Sequence, residues 1–407
     1  MAVTDDARFG AAPDEHKEPF RIGMLLNDSR YRSITLQVIA LALFLAGVVW
    51  LVLNAAANLE ALGKDFNFGF LFQPASYDIG QTLIDYTSRS PHWKAAAVGL
   101  LNTLLVAVLG IIAATILGVL AGVARLSNNW IVAKLMTVYV EVFRNVPLLI
   151  WILLAIAVYS FGFPTPRAAY ERGEEVWVAF TNRGIYLTWP DFQPGSWVVV
   201  AAFFAGLVAA FLFRAYARKR QLATGEQLPW VKVGLALVLV PPLVAYFLAG
   251  QPIGLDRPSL RGFNMGGGVE IQGALFALWV GLSVYTGAFI AEVVRGGIQA
   301  VSKGQREAAS ALGLRPNRVM NLVILPQALR IIIPPLISQY LNLIKNSSLA
   351  IATGYFDITG TLGGVTLNQT GREMECLLLL MAVYLTISLT VSFVMNIYNE
   401  RVALKER

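Results

Sequence analysis

Residues 307–327 read EAASALGLRPNRVMNLVILPQ, and their chemistry is that of a docking handle rather than a reaction centre. Glu307 offers a carboxylate to a partner's arginine or lysine, while Ala308, Ala309 and Ala311 are small enough to let another surface approach a helix backbone. The segment Ser302 to Leu314, SKGQREAASALGL, predicts a helix, because its alanines favour one, Gly313 can stop it and Pro316 cannot continue it unbroken. A second segment, Arg318 to Leu325, places Val319, Leu322 and Val323 on one face at helical spacing. By periodicity alone, a helix lying on lipid headgroups fits as well as one that receives a partner.

A second set of polar residues sits within or beside long apolar runs, where charge is costly and usually functional. Glu141 and Arg144 are spaced i and i+3 and can face each other on one side of a helix, with Pro147 placed to bend it. Pairing to neighbouring helices and direct contact with a solute both fit them. Glu292 and Arg295 repeat the spacing where an apolar run ends, a position that also suits interfacial anchoring. Asn102 and Thr103, with Lys345, Asn346 and Ser347, are the other polar groups that could line a wet path, although Lys345 also suits a snorkelling anchor. Gly287 and Ala288 suit close helix packing. One cysteine, Cys376, and two histidines, His16 and His92, exclude a disulfide framework and a Cys/His zinc site. Neither a nucleophile elbow nor a His-Cys-carboxylate cluster is present, so a membrane enzyme is disfavoured. No phosphate loop of the form G-x-x-x-x-G-K-[ST] occurs, so any ATP and Mg must be bound by another polypeptide.

Long apolar helices must position these groups. Of the 407 residues, 56% are hydrophobic and 14% charged, with a mean hydropathy of +0.60. A soluble domain carries about 25% charged residues. Ser33 to Leu59, Ala95 to Ala124, Val233 to Leu255, Ile271 to Ala291 and Cys376 to Asn399 hold no Asp, Glu, Lys or Arg, and about 20 helical residues cross a bilayer core. The chain therefore reads as an all-α integral membrane protein, in which the pI near 9.5 reflects basic loops rather than nucleic-acid binding. Eight spans are expected near 34–54, 95–124, 134–161, 196–214, 232–250, 271–294, 329–345 and 376–398. The seventh is short and interrupted by Pro334 and Pro335. Residues 1–33 lack a signal-peptide pattern and read as a cytosolic tail. With eight spans, the loops on the side of the termini carry 21 of the 32 lysines and arginines against 10 on the other side, Arg144 being inside a span. The bias places both termini in the cytoplasm, together with the 292–330 loop.

Glu307, Ala308, Ala309, Gly313, Val323, Leu325 and Pro326 follow the order of the "EAA" loop of ATP-binding-cassette (ABC) importer permeases, and the chain resembles that family. Val323 stands where isoleucine is usual. GLLNTL (99–104), YVEVFRNVPLLI (139–150), YTGAFIAEVVRGGIQAVSKGQ (285–305), LPQALRIIIPPL (325–336) and LIKNSSLA (343–350) narrow the likeness to polar amino-acid permeases. The eight-span layout is similar to the general L-amino-acid permeases of Gram-negative bacteria. The resemblance implies a five-helix type I permease core within 95–400 in the bacterial inner membrane. It leaves the span 34–54 and the hairpin 196–250 as additions, a periplasmic loop at 55–94 and a cytosolic coupling loop at 292–328. It further implies a cytosolic ABC ATPase that seats the EAA helix in a cleft and carries ATP and Mg, and a second, non-identical permease chain. A periplasmic amino-acid-binding protein would meet external loops such as 77–94 and 257–273, and membrane lipid would surround the whole. By the same resemblance, spans two, three, six and seven surround the path. A self-sufficient ion-coupled transporter is the alternative, but it calls for inverted repeats that the sequence does not show and leaves the EAA loop unexplained.

Overall fold

The computed structural model describes residues 29–402 apart from 62 and 64, so most of the expected 1–33 tail, and Lys405 and Arg407, lie outside the described residues. The chain divides into two compact units, Met1–Phe68 and Gly69–Arg407. The first holds α1 (Ser29–Ala61), a 33-residue helix with apolar side chains exposed along its length, as expected of a surface that faces lipid.

In the second unit the long helices are α2 (His92–Ala124), α3 (Trp130–Asn145), α4 (Leu148–Gly162), α5 (Ser196–Thr224), α6 (Trp230–Leu248), α7 (Gly273–Gln299), α8 (Lys303–Ala311), α9 (Leu325–Asn346) and α10 (Glu373–Val402). Seven helices of the described chain are long and apolar enough to cross a membrane, or eight if α3 and α4 together make one crossing.

The expected continuous span at 134–161 is instead two helices bent by 107°. Pro147 lacks a donor and forces the residue before it out of helical geometry, and Val146 accordingly sits at φ −110°, ψ 135°. The pair still advances along α7. Tyr139 of α3 donates to the Val284 carbonyl at 2.7 Å, Ile152 of α4 packs with Leu278 and Leu282, and the Tyr159 ring lies 5.6 Å from that of Phe276. Contacts thus march from the end of α7 next to α8 toward its start.

The core is built around α7, whose buried small and aliphatic residues receive α2, α4 and α9. Ala288 is buried with Val140, Ala121 and Ala291, in keeping with close helix packing. Span seven proves longer than its apolar run suggested: α9 continues through Pro334 and Pro335 and is preceded by a turn, Pro316–Val319, and a π turn, Met320–Ile324. Proline inside a membrane helix is tolerated where surrounding groups can satisfy the freed carbonyls.

Composition gives no strand expectation, yet the segments flanking α5 and α6 contain seven short strands. β1 (Val178–Phe180), β2 (Gly184–Leu187) and β7 (Val269–Gln272) form one antiparallel sheet in the order β1-β2-β7. β3 (Trp189–Phe192) pairs with β4 (Ile253–Asp256), and β5 (Ser259–Arg261) with β6 (Asn264–Gly266). The β3–β4 ladder joins the chain just before α5 to the chain just after α6, so it closes the neck of the inserted hairpin.

Candidate functional site

The handle at 307–327 is built as a short helix held to the bundle by its inner face. α8 runs Lys303–Ala311, close to the expected Ser302–Leu314, and ends at Gly313, whose φ of +76° is a left-handed conformation that glycine adopts without strain. Ala309 is buried with Val319 and Ile324, packed against Ile298, Val301, Leu314 and Val323. Glu307 and Ala308 are exposed, and Leu312 is 81% exposed beside them. Leu325 and Pro326 open α9 on the far side of the π turn, and Ile298 and Val301 pack both against the α8 anchor and against the cluster of Ala328 and Ile332 in α9. Chemically, the outer face offers one free carboxylate and an apolar tip. Among the described residues Glu307 has no side-chain hydrogen bond or ion pair, and its role is not consumed within the chain.

The polar candidates separate into two clusters. In the first, Asn102 and Thr103 of α2 grip the segment after α9. Asn102 Nδ2 donates to the carbonyls of Gln81 (2.8 Å) and Phe356 (2.9 Å), and Thr103 Oγ1 accepts from Ile358 N–H at 3.0 Å. Ser347 is buried and donates to the Ile344 carbonyl at 2.7 Å. Asn102 Oδ1 is buried with no hydrogen-bond partner among the described residues. A cavity of about 490 Å³ follows the same segment, lined by Ile351, Gly354, Tyr355, Phe356, Gly360 and Asn368 among others.

This cluster contains a residue that sequence reasoning missed. Asp357 is fully buried; its Oδ1 accepts from Gly360 N–H at 2.8 Å and its Oδ2 from the Tyr384 hydroxyl at 3.2 Å. It is the only charged residue between Lys345 and Arg372, which was the available signal. Burial outweighs these donors and pushes its carboxyl up to about 6. A carboxyl held above its unfolded value stabilises the fold below about pH 4 and loses that contribution as pH rises through about 6, a loss on the order of 2–3 kcal/mol. The melting temperature of the purified protein is therefore expected to fall between pH 4.5 and pH 7.5, and an Asp357→Asn variant to lose that part of the fall. An unchanged slope in the variant would contradict this.

Gly99 makes the grip possible. A Cβ there would lie 2.2 Å from Thr361 Oγ1 and 2.8 Å from the Asp357 carbonyl oxygen. Gly99→Val is expected to cost at least about 2 kcal/mol by overpacking, read as a lower melting temperature; an unshifted transition would show that the segment moves aside freely.

The second cluster centres on Glu292. Its carboxylate is bonded by Arg295 one turn on, by Arg125 at the end of α2 (2.5 Å), and lies 3.9 Å from Arg144 of α3. Glu141 and Arg144, though spaced to face each other, do not pair with one another. Arg144 turns toward α7, with its guanidinium 5.2 Å from the Phe289 ring as well, while Glu141 is exposed with no ion-pair partner among the described residues. Lys345 is likewise exposed and Asn346 half-buried, and neither joins a cluster. Nothing in the sequence flags Arg125, which lies 167 positions from its partner.

Residues 235–404 match the family model described as binding-protein-dependent transport system inner membrane component. Curated relatives extend over nearly the whole chain. The glutamate/glutamine/aspartate/asparagine transport system permease protein BztB of Rhodobacter capsulatus is 53% identical, covering 97% of this chain and 99% of its own length. The general L-amino acid transport system permease protein AapQ of Rhizobium johnstonii is 45% identical over 93% of this chain and 94% of its own.

Proposed function

The chain belongs to the binding-protein-dependent transport system inner membrane components, the permeases of ABC importers, and from that premise we propose that it carries polar L-amino acids into the cell. It is a multi-pass inner-membrane subunit rather than an enzyme, and it works with an ATPase and a second permease. The printed names of its relatives support the cargo class: one names glutamate, glutamine, aspartate and asparagine, the other L-amino acids in general. We take the second permease to be a non-identical chain, and the amino acid to be delivered by a periplasmic binding protein that meets the 77–94 and 257–273 segments. The partner ATPase would bind ATP and Mg. The basic bias of the loops, with α3 and α4 as one crossing, supports both termini in the cytoplasm.

The observation that carries the coupling role is the division of α8 into a buried and a free face. Ala309 roots the helix in its own chain, while Glu307, Ala308 and Leu312 face outward, as a seat for a separate ATPase requires. Gly313 stops the helix, Leu325 and Pro326 open α9, and Ile298 and Val301 pack against both, so a push on α8 reaches a membrane helix through shared packing. For the path, we assign the cavity along 351–369 rather than the Glu292 cluster, whose charges are spent on one another. Asn102 and Thr103 hold its wall segment through their bonds to Phe356 and Ile358, while Ser347 bonds back to Ile344 at the end of α9; Glu141, Lys345 and Asn346 remain free to meet solute or lipid.

The test is uptake of radiolabelled glutamine or glutamate into proteoliposomes holding this chain, its partner permease, the ATPase and the binding protein. Uptake should require internal ATP and all four components. Uptake by this chain alone that collapses with an ionophore would favour an ion-coupled carrier instead.

A further inference from the structure

We propose that the charged end of the α5–α6 hairpin is a binding site for the phosphodiester headgroup of an anionic phospholipid. The hairpin pairs chiefly with itself and leaves its outer apolar faces uncovered: Phe204, Val208, Phe211 and Leu212 are all well exposed. Such a surface lies in the acyl-chain region of a membrane. One turn beyond Phe211, the helix turns basic. Residues 214–232 hold Arg214, Arg218, Lys219, Arg220 and Lys232 against a single acid, Glu226, a net charge of +4.

Among the described residues, one of these cations is neutralised by an acidic side chain. Arg220 pairs with Glu226 at 2.9 Å, whereas Arg214, Arg218 and Lys219 are exposed and have no ion-pair partner among the described residues. Arg214 and Arg218, four residues apart on one helix face, line two adjoining cavities. The first, of about 420 Å³, is completed by Gln221, Gln227 and Trp230, and the Arg214 guanidinium lies 4.9 Å from that indole ring. The second, of about 510 Å³, runs on to Phe211, Lys219 and Leu222. Two guanidinium groups and two side-chain amides at the mouth suit phosphate oxygens. The adjoining Phe211 and Leu222 suit the start of an acyl chain, and Trp230 suits the interface between the two layers. A small anion would use the guanidinium groups alone, so continuity with the apolar flank selects a lipid. Basic residues near a membrane surface attract anionic lipid. This site stands apart from the transport reading and does not depend on it.

The test is native mass spectrometry of the detergent-solubilised complex, titrated with phosphatidylglycerol, phosphatidylcholine or inorganic phosphate. Phosphatidylglycerol should bind about tenfold more tightly than phosphatidylcholine, weaken as ionic strength rises, and resist displacement by equimolar phosphate. Arg214→Gln/Arg218→Gln should bring phosphatidylglycerol down to the phosphatidylcholine level, while Arg214→Lys/Arg218→Lys keeps most of the preference. Should the glutamine variant not assemble, the salt dependence and lipid preference of the natural protein decide. Equal binding of the two lipids, salt-independent binding, an unaffected glutamine variant, or displacement by phosphate would each overturn the proposal.

Discussion

Glu307→Lys is expected to lower binding-protein-stimulated ATP hydrolysis and uptake at least tenfold while leaving the melting temperature of the permease unchanged. The two halves of that expectation come from one geometric fact. Glu307 is exposed on α8 and makes no side-chain bond among the described residues, so the fold does not need it. A docked partner that offers a cation to this carboxylate would meet a like charge instead, and like charges brought together at an interface cost several kcal/mol. Since each 1.4 kcal/mol is a factor of ten, about 2 kcal/mol is enough. Ala309→Leu, one turn-face away, should do the reverse: it overfills the anchor of Ala309, Val319 and Ile324 and lowers stability first. Normal stimulation in the Glu307→Lys permease, measured in proteoliposomes with all partners present, would show that the outward face of α8 is not where force enters.

Glu292→Gln is expected to destabilise the bundle by about 2–3 kcal/mol, the largest loss for a single exchange outside the apolar core. Removing the carboxylate charge leaves Arg125, whose side chain is 11% exposed, without an ion-pair partner, and frees Arg295 as well. Stranding a buried charge costs about 3–5 kcal/mol; the 30% exposure of Glu292 lets water screen part of that. The carboxylate joins α2, α3 and α7 at the end of α7 that leads into α8, so the loss should appear in thermal unfolding and in the amount of intact complex. A variant of normal stability but with an altered KM for the amino acid would move Glu292 from the scaffold to the path.

How much of this was readable beforehand depends on the distance over which each feature is encoded. The crossings were legible because an uncharged run is a local property: α1, α2 and α10 each contain the run expected of them, and α6 and α7 contain most of theirs. The stop at Gly313 was legible for the same reason. Pro147 announced a bend between α3 and α4, but not its size, which follows from how Tyr139 and Ile152 pack along α7. The strands were not legible: β2 and β7 pair across the whole α5–α6 insertion, and three or four residues carry little periodic signal. The Glu292 network was half legible, because Glu292 and Arg295 are one turn apart, whereas Arg125 arrives from a different helix. Asn102 and Thr103 stood out as polar groups in an apolar run, yet their side chains turned out to be bonded to the chain segment around Asp357. The sequence set the chemistry of that segment only through one isolated carboxylate and a run of small residues.

The central claim is that α8 is gripped by an ATP-driven partner. It is tested most directly by placing a thiol at its tip. Leu312→Cys puts one there, and the single native cysteine, Cys376, is buried and shielded from reagents. Labelling that thiol with a photoreactive maleimide in the assembled complex, irradiating, and identifying the adduct by mass should yield this chain joined to the ATPase subunit. Label found only on lipid, or only on this chain's own helices, would contradict the account.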